Sequence, residues 1–303
     1  MADAGAVAPD ASLATLRTCP GVADCFLLTP VETGLPDSGK GATENHIALV
    51  PAAAAAKGRL LVFLNGSGGT PAGAVATTTN NFYTAARDAG LHVLALSYRS
   101  DVAVGILCPP SLANRDGCYE PTRLTLLAGQ LQAGAAAGVA DIQPDEGVFA
   151  RLAAALSTLA AADPGGGWSA FLDGAQADPE QAIRWNLVWA SGHSQGGGHA
   201  ALLGKRLPLD RVISLAAPCD AVASSPATWM TRTATFQTEA SRFYGLASSQ
   251  DTTICPMHAA AWTALELPTA NQNDAAQLCA GVDAHSAPLK CTANSGLWQE
   301  LFK

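Results

Sequence analysis

Ser194 stands among glycines, in Gly192-His193-Ser194-Gln195-Gly196-Gly197-Gly198. The run Trp185-Asn186-Leu187-Val188-Trp189-Ala190 before it is apolar, aromatic and branched, and predicts a buried strand. His199-Ala200-Ala201-Leu202-Leu203-Gly204 after it predicts a helix. A serine on a sharp turn between strand and helix is the setting of a nucleophile elbow. Such a turn holds the serine at positive φ, so the residues two before and two after must be nearly without side chains. Gly192 and Gly196 meet that demand. The bend also lifts the hydroxyl above the sheet and aims the following amides, beginning with that of Gln195, at a developing oxyanion. The alternative is a glycine-rich turn in which the serine is incidental.

A serine hydroxyl is a weak nucleophile near neutral pH. A histidine must take its proton during attack and return it to the leaving group, and a buried carboxylate must orient and stabilise that histidine. Six histidines are available. His46 and His92 lie in strand-like runs and read as packed or edge residues, and His199 reads as packed on the helix after the turn. His193 is too close along the turn to swing onto its neighbour's hydroxyl. His258 opens a helix after a proline and reads as a surface residue. His285 lies in Val282-Asp283-Ala284-His285-Ser286, a late loop between two cysteines. Among the acids, Asp220 and Asp251 each follow a late strand, whereas Asp283 is too close to His285 along the chain to orient it easily.

These side chains need a scaffold, and the composition can supply one. The chain has 303 residues, 49% hydrophobic and 14% charged, ample for a buried core. With 17 basic and 25 acidic residues, a net charge of -8 and no charge runs, it offers no footprint for nucleic acid or an anionic membrane. The apolar runs are alanine-rich and interrupted, so no membrane insertion is expected. The start, Met1-Ala2-Asp3-Ala4-Gly5, lacks a basic region and an apolar core; it reads as a mature sequence with an added initiator methionine.

Eight cysteines fall as sequence neighbours: Cys19 with Cys25, Cys108 with Cys118, Cys219 with Cys255, Cys279 with Cys291. No Cys-x-x-Cys pair is present, so zinc and redox motifs are not favoured and no metal or cofactor is expected. Four bridges between neighbours in an oxidising compartment is the reading adopted, although eight cysteines permit about 105 connectivities. Eight buried reduced thiols is the alternative.

In chain order, residues 1–44 read as loop, with Cys25-Phe26-Leu27-Leu28 a short edge strand, and His46 to Val50 reads as a strand. The five alanines before Lys57 read as a turn. Arg59-Leu60-Leu61-Val62-Phe63-Leu64 is a buried strand opening into Asn65-Gly66-Ser67-Gly68-Gly69, whose glycines let the backbone fold with its amides exposed. A helix over 80–89 and a strand from Leu91 to Ser97 complete a parallel βαβ unit. The segment from Pro121 to Val139 carries no clear period. Asp145 is expected to cap a helix from Val148 to Ala161. Strands follow at Arg211 to Ala216 and Phe243 to Ala247, separated by a polar stretch over 221–241 that reads as a flap or a loop excursion. Helices are expected from Met257 to Leu265 and around Leu297 to Phe302. No interdomain linker appears, so residues 1–303 are expected to form one domain.

Alternating strands and helices, an early glycine loop and a central elbow resemble the α/β-hydrolase family from about residue 45 onward. Locally the elbow is similar to that of secreted bacterial hydrolases reading Gly-His-Ser-Gln-Gly-Gly-Gly-His-Ala. The resemblance implies a mostly parallel sheet with helices on both faces, Ser194 as nucleophile, and the chain order serine, acid, histidine. On that order His285 is the expected base. The acid is expected at Asp251, which lies 57 residues after Ser194 (251 − 194) and 34 before His285 (285 − 251), with Asp220 as the rival. The loop departs from the His-Gly-Gly-Gly pattern of many lipases and esterases. Ser67, after its first glycine, is the expected second oxyanion amide beside Gln195, and Gly68 is the near rival.

The expected activity is a secreted or periplasmic serine hydrolase cleaving carboxylic esters, acting as a monomer on a small-molecule or polymeric ester. A polyester depolymerase, a peptidase, an acyltransferase and a non-catalytic binding protein on the same scaffold are the alternatives. No long apolar insertion marks a lipase lid. Trp168, Trp229 and Tyr98 are candidates to line the pocket.

Overall fold

Leu60 to Leu64 is apolar at every position, as a strand must be when both faces of its sheet are covered. The computed structural model describes residues 16–36, 42–75, 79–233 and 235–303. The chain runs β1 (Arg17–Thr18), β2 (Cys25–Leu28), β3 (His46–Leu49), β4 (Leu60–Leu64), α1 (Phe82–Asp88), β5 (His92–Leu96), α2 (Val104–Leu107), α3 (Asp116–Ala128) and α4 (Val148–Ala162). It continues through β6 (Val188–His193), α5 (Gln195–Arg206), β7 (Arg211–Leu215), β8 (Ala221–Val222), β9 (Ser225–Pro226) and β10 (Phe243–Ala247). Last come α6 (His258–Ala264), β11 (Gln272–Asp274), α7 (Ala287–Lys290) and α8 (Ser295–Leu301). The reading of residues 1–5, and those parts of the 1–44 and 221–241 readings that fall on 1–15, 37–41 and 234, lie outside the described residues.

Among the described residues one sheet has nine strands, in the order β1-β2-β3-β5-β4-β6-β7-β10-β11. The first three strands join it antiparallel, and the six from β5 to β11 are parallel. Side chains of β4 alternate between two layers. Leu60, Val62 and Leu64 pack with α3, α4 and α5, while Leu61 and Phe63 pack with Phe82 and Tyr83 of α1 and Trp298 of α8. A mostly parallel sheet covered on both faces in this strand order is the α/β-hydrolase fold, as the alternation of elements led one to expect.

Departures from the sequence reading have local causes. Cys25–Leu28 is not the edge, because Arg17–Thr18 pairs outside it. The strand before the elbow begins at Val188, and Trp185–Leu187 forms a 3-10 turn. The segment around Pro121 is helical from Asp116, with Cys118 bridged to Cys108 and Leu126 and Leu127 buried. Burial thus outweighs the one backbone donor that proline removes. Asp145 is not the cap of α4. Gln143 and Glu146 form a capping box around a short turn, and Gly147 precedes the helix. The 221–241 excursion is no flap: Trp229 and Met230 are buried in the same core layer as α3. Finally, β11 is a polar strand that period-based reading passes over.

Candidate active site

The parallel ladder delivers the serine. At the end of β6, Ser194 donates its backbone N–H to Leu215 of β7 over 2.9 Å, and α5 begins at the next residue. Ser194 has φ 54° and ψ −119°, strained for a residue with a Cβ and held by its surroundings. The neighbouring glycines are required by close approach. A Cβ on Gly196 would overlap the Leu64 carbonyl, and one on Gly192 would stand 2.6 Å from that same oxygen. Gly198 makes room for Arg123, whose guanidinium Nη2 would stand 2.5 Å from a Cβ there.

Two loops at the carboxyl edge of the sheet bring up the other groups. His285 Nδ1 lies 2.6 Å from Asp251 Oδ2, and both side chains are buried. Asp251 Oδ1 accepts from the amides of Ile254 at 3.1 Å and Cys255 at 3.3 Å. Burial acts to raise the Asp251 carboxyl, but the bond from His285 and these amides outweigh it and hold it below the ordinary carboxylate range. A carboxylate can only accept, so the proton sits on Nδ1 and Nε2 is left as a base. Among the described residues Nε2 has no hydrogen-bond partner. Ser194, His285, Ser67, His193 and Lys290 line one cavity of about 390 Å³.

The rival acid has other work. Asp220 takes a two-pronged bond from Arg123, Nε to Oδ2 at 2.7 Å and Nη2 to Oδ1 at 2.6 Å, and a third from Trp229 Nε1 at 2.9 Å. Both partners of this ion pair are buried. Arg123 also donates from Nη1 to the Gln195 carbonyl at 2.9 Å, bracing the first turn of α5. Asp220 is therefore the partner of Arg123 and Trp229, and of no histidine among the described residues. Asp283 accepts from the Ser286 amide at 2.9 Å.

In the glycine loop, backbone bonds sort the amides. Gly68 N–H donates to Ser100 O at 2.6 Å and Gly69 N–H to Gly66 O at 3.0 Å. Among the described residues the amides of Gly66, Ser67 and Gln195 donate to no protein group. Ser67 Oγ donates to Gln195 Oε1 at 2.9 Å, and the same oxygen accepts from Val104 N–H at 2.9 Å. The Gln195 side chain thus ties the elbow to the glycine loop. Asn65 Nδ2 holds the loop from beneath, donating to Gly69 O at 2.7 Å, while Tyr98 Oη donates to Asn65 O at 2.6 Å.

Other histidines sort as follows. His193 Nε2 donates to the His285 carbonyl at 2.9 Å, and burial, with the nearby charges of His285 and Lys290, pushes its pKa down to about 4. It braces the loop that carries His285. His46, His92 and His199 are buried, as expected. His258 is also buried, against Trp262, with Nδ1 2.9 Å from Cys255 O; the surface reading fails because α6 turns that face inward. The pocket reading of three aromatics fails too. Tyr98, Trp168 and Trp229 are core side chains, and none lines the cavity.

Sequence reading missed Arg123, the Gln195 side chain and the brace by His193. The triple glycine was the only signal, since a helix with no Cβ at Gly198 must face something large. Among the described residues no group of three or more His, Cys, Asp or Glu could hold a metal, and no helix is long and apolar enough to cross a membrane.

No protein-family model matches the chain, and no curated protein is similar to it. Solved structures similar to it include an α/β serine hydrolase without a lid from Xanthomonas campestris, 14% identical, with 94% of this chain and 95% of that one covered and a TM-score of 0.39. An acetyl xylan esterase from Aspergillus awamori is 13% identical over 77% of this chain and 75% of its own, with a TM-score of 0.35. At such values neither likeness carries an argument about activity, which must come from the site.

Proposed function

We propose that this protein is a serine hydrolase that cleaves carboxylic esters through an acyl-enzyme. One observation carries the reading: a strained Ser194 and an aspartate-oriented His285, whose Nε2 has no partner among the described residues, line the same cavity. Ser194 Oγ attacks the ester carbonyl as its proton passes to His285 Nε2. Asp251 keeps Nδ1 protonated and stabilises the imidazolium. The carbonyl oxygen, now negative, is met by the amides of Gln195 and Ser67. Gly68 is disfavoured because its amide is already bonded to Ser100. Collapse expels the alcohol, which takes the proton from Nε2, and water repeats the sequence to release the acid. Removing one such oxyanion donor slows turnover by about 10²–10³-fold in comparable sites.

Four disulfides link Cys19–Cys25, Cys108–Cys118, Cys219–Cys255 and Cys279–Cys291, and no described cysteine is free. They support placement in an oxidising compartment, secreted or periplasmic.

The test is a panel of p-nitrophenyl esters of rising acyl length run beside an amide analogue, with a fluorophosphonate as active-site label. Turnover of the short esters is expected, and Ser194→Ala should abolish both turnover and labelling while the circular dichroism spectrum stays native. Labelling that persists in Ser194→Ala would remove the serine from its role. Turnover of the amide at a comparable rate would favour a peptidase.

A further inference from the structure

The cavity beside Ser194 carries one formal charge that the proposed hydrolysis does not use. Lys290 closes α7, five residues beyond His285, and lines the cavity half-buried. Among the described residues it makes no ion pair and no side-chain hydrogen bond. Among the described residues no Asp or Glu lines the cavity, and no other Lys or Arg does. The near acids are engaged elsewhere: Asp251 with His285, Asp283 with the Ser286 amide. His193 offers no competing cation, because burial keeps its ring neutral at neutral pH. The cavity wall thus includes a lysine with no partner among the described residues, in a chain whose net charge is -8.

We infer that the substrates are short carboxylic esters carrying a free carboxylate, which Lys290 receives while the ester carbonyl lies against Ser194. This rests on the ester-hydrolase reading and narrows it to a substrate class. A single ammonium matches a single negative charge. A phosphate monoester, near two negative charges, would leave excess charge beside it, and planar two-pronged phosphate recognition is the habit of arginine. Ile254, 57% exposed, lines the same cavity, and with Ala74 and Ala103 it offers apolar surface to the connecting hydrocarbon.

Two matched pairs test it and separate the two sides of the ester. On the acyl side, monomethyl glutarate is compared with methyl pentanoate by methanol release. On the alcohol side, para-acetoxybenzoate is compared with its methyl ester by acetate release. The readout is the ratio of kcat/KM, charged over neutral, within each pair. In the unaltered protein one pair should show a ratio above one that shrinks as sodium chloride is raised, since salt screens a partly exposed charge. Lys290→Met should lower that ratio by about 10-fold or more, the scale of a hydrogen bond to a charged group, and Lys290→Arg should keep most of it. Ratios at or below one in both pairs, or a ratio untouched by Lys290→Met, overturn the inference. If the neutral esters are still turned over with dependence on Ser194, the ester reading stands. If no member of either pair is turned over, both fall. Should the variants not fold, the salt titration of the unaltered protein decides alone.

Discussion

Asp251 and Asp220 are both buried aspartates that follow a strand, yet they face opposite kinds of partner. Asp251 meets a histidine, whose tautomer it sets, and Asp220 meets the permanent charge of Arg123. The two substitutions to asparagine should therefore fail differently. Asp251→Asn should cut kcat by about 10⁴-fold with the urea midpoint little changed, because the amide no longer enforces the protonated Nδ1. Asp220→Asn should lower stability by about 3–5 kcal/mol, because it leaves a buried guanidinium without its counter-charge. Its kcat per folded molecule should fall far less. Steady-state kinetics and urea titration on both variants check this, and an inactive but stable Asp220→Asn would transfer the role of acid. Chain order alone could not separate these residues. Each has the position an acid needs, and the partner that distinguishes them lies 34 residues away in one case and 97 in the other.

The proposed acid and base ride on loops, and disulfides take the place of regular structure there. Cys255 is bridged to Cys219, tying the Asp251 loop to the loop after β7, and Cys279–Cys291 closes the loop that carries His285. The sequence separations are 36 and 12, so the first bridge constrains the larger loop of the unfolded chain. Each should contribute on the order of 2–4 kcal/mol, the longer one more. Replacing Cys279 and Cys291 together by serine should lower kcat as well as the melting temperature, because the His285–Asp251 bond depends on where that loop sits. Kinetics at a temperature well below melting isolates the positional effect. Unchanged kcat there would mean that the brace from His193 Nε2 to the His285 carbonyl suffices without the disulfide.

Over the whole molecule, buried neutral histidines set the acid limit. Burial, helped by the charge of Arg151, pushes His46 down to about 3, and its Nδ1 accepts the Ser97 N–H at 2.9 Å. Burial, with Arg123 nearby, holds His199 well below the ordinary range, and neither ring nitrogen has a partner among the described residues. The unfolded chain binds a proton on each near the ordinary pKa of about 6.5, while the native state refuses both. More protons on the unfolded side means that stability is full above pH 6.5 or so and falls with acid, until His46 itself titrates near 3. These two groups alone give a slope approaching about 3 kcal/mol per pH unit through the pH 5–4 range, and His193, pushed down to about 4, adds to it; that is large against the ordinary 5–15 kcal/mol of a folded domain. Urea midpoints taken from pH 7 to pH 4 should show this slope, and His199→Leu should remove about 1.4 kcal/mol per pH unit of it. An equally steep fall in His199→Leu would place the acid sensitivity elsewhere.

What was legible beforehand was local. The elbow could be read because Gly192, Ser194 and Gly196 impose their own backbone geometry, and β4, β5, β7 and β10 because a strand covered on both sides is mostly apolar. Cysteine neighbours in sequence turned out to be neighbours in space. Features built by pairing across the chain left no spacing to read. The polar strand Gln272–Asp274 exists because β10 offers it an open edge to hydrogen-bond, not because its residues favour a strand. Trp229, read as part of a polar excursion, is buried because Asp220 accepts its indole N–H. The contacts of Arg123 and His193 follow from what stands opposite each of them once the sheet has closed, and Lys290 lines a cavity only because distant segments meet there. A turn carries its geometry in its own residues, whereas an ion pair or a cavity wall is a property of two distant segments, and only the folded chain brings them together.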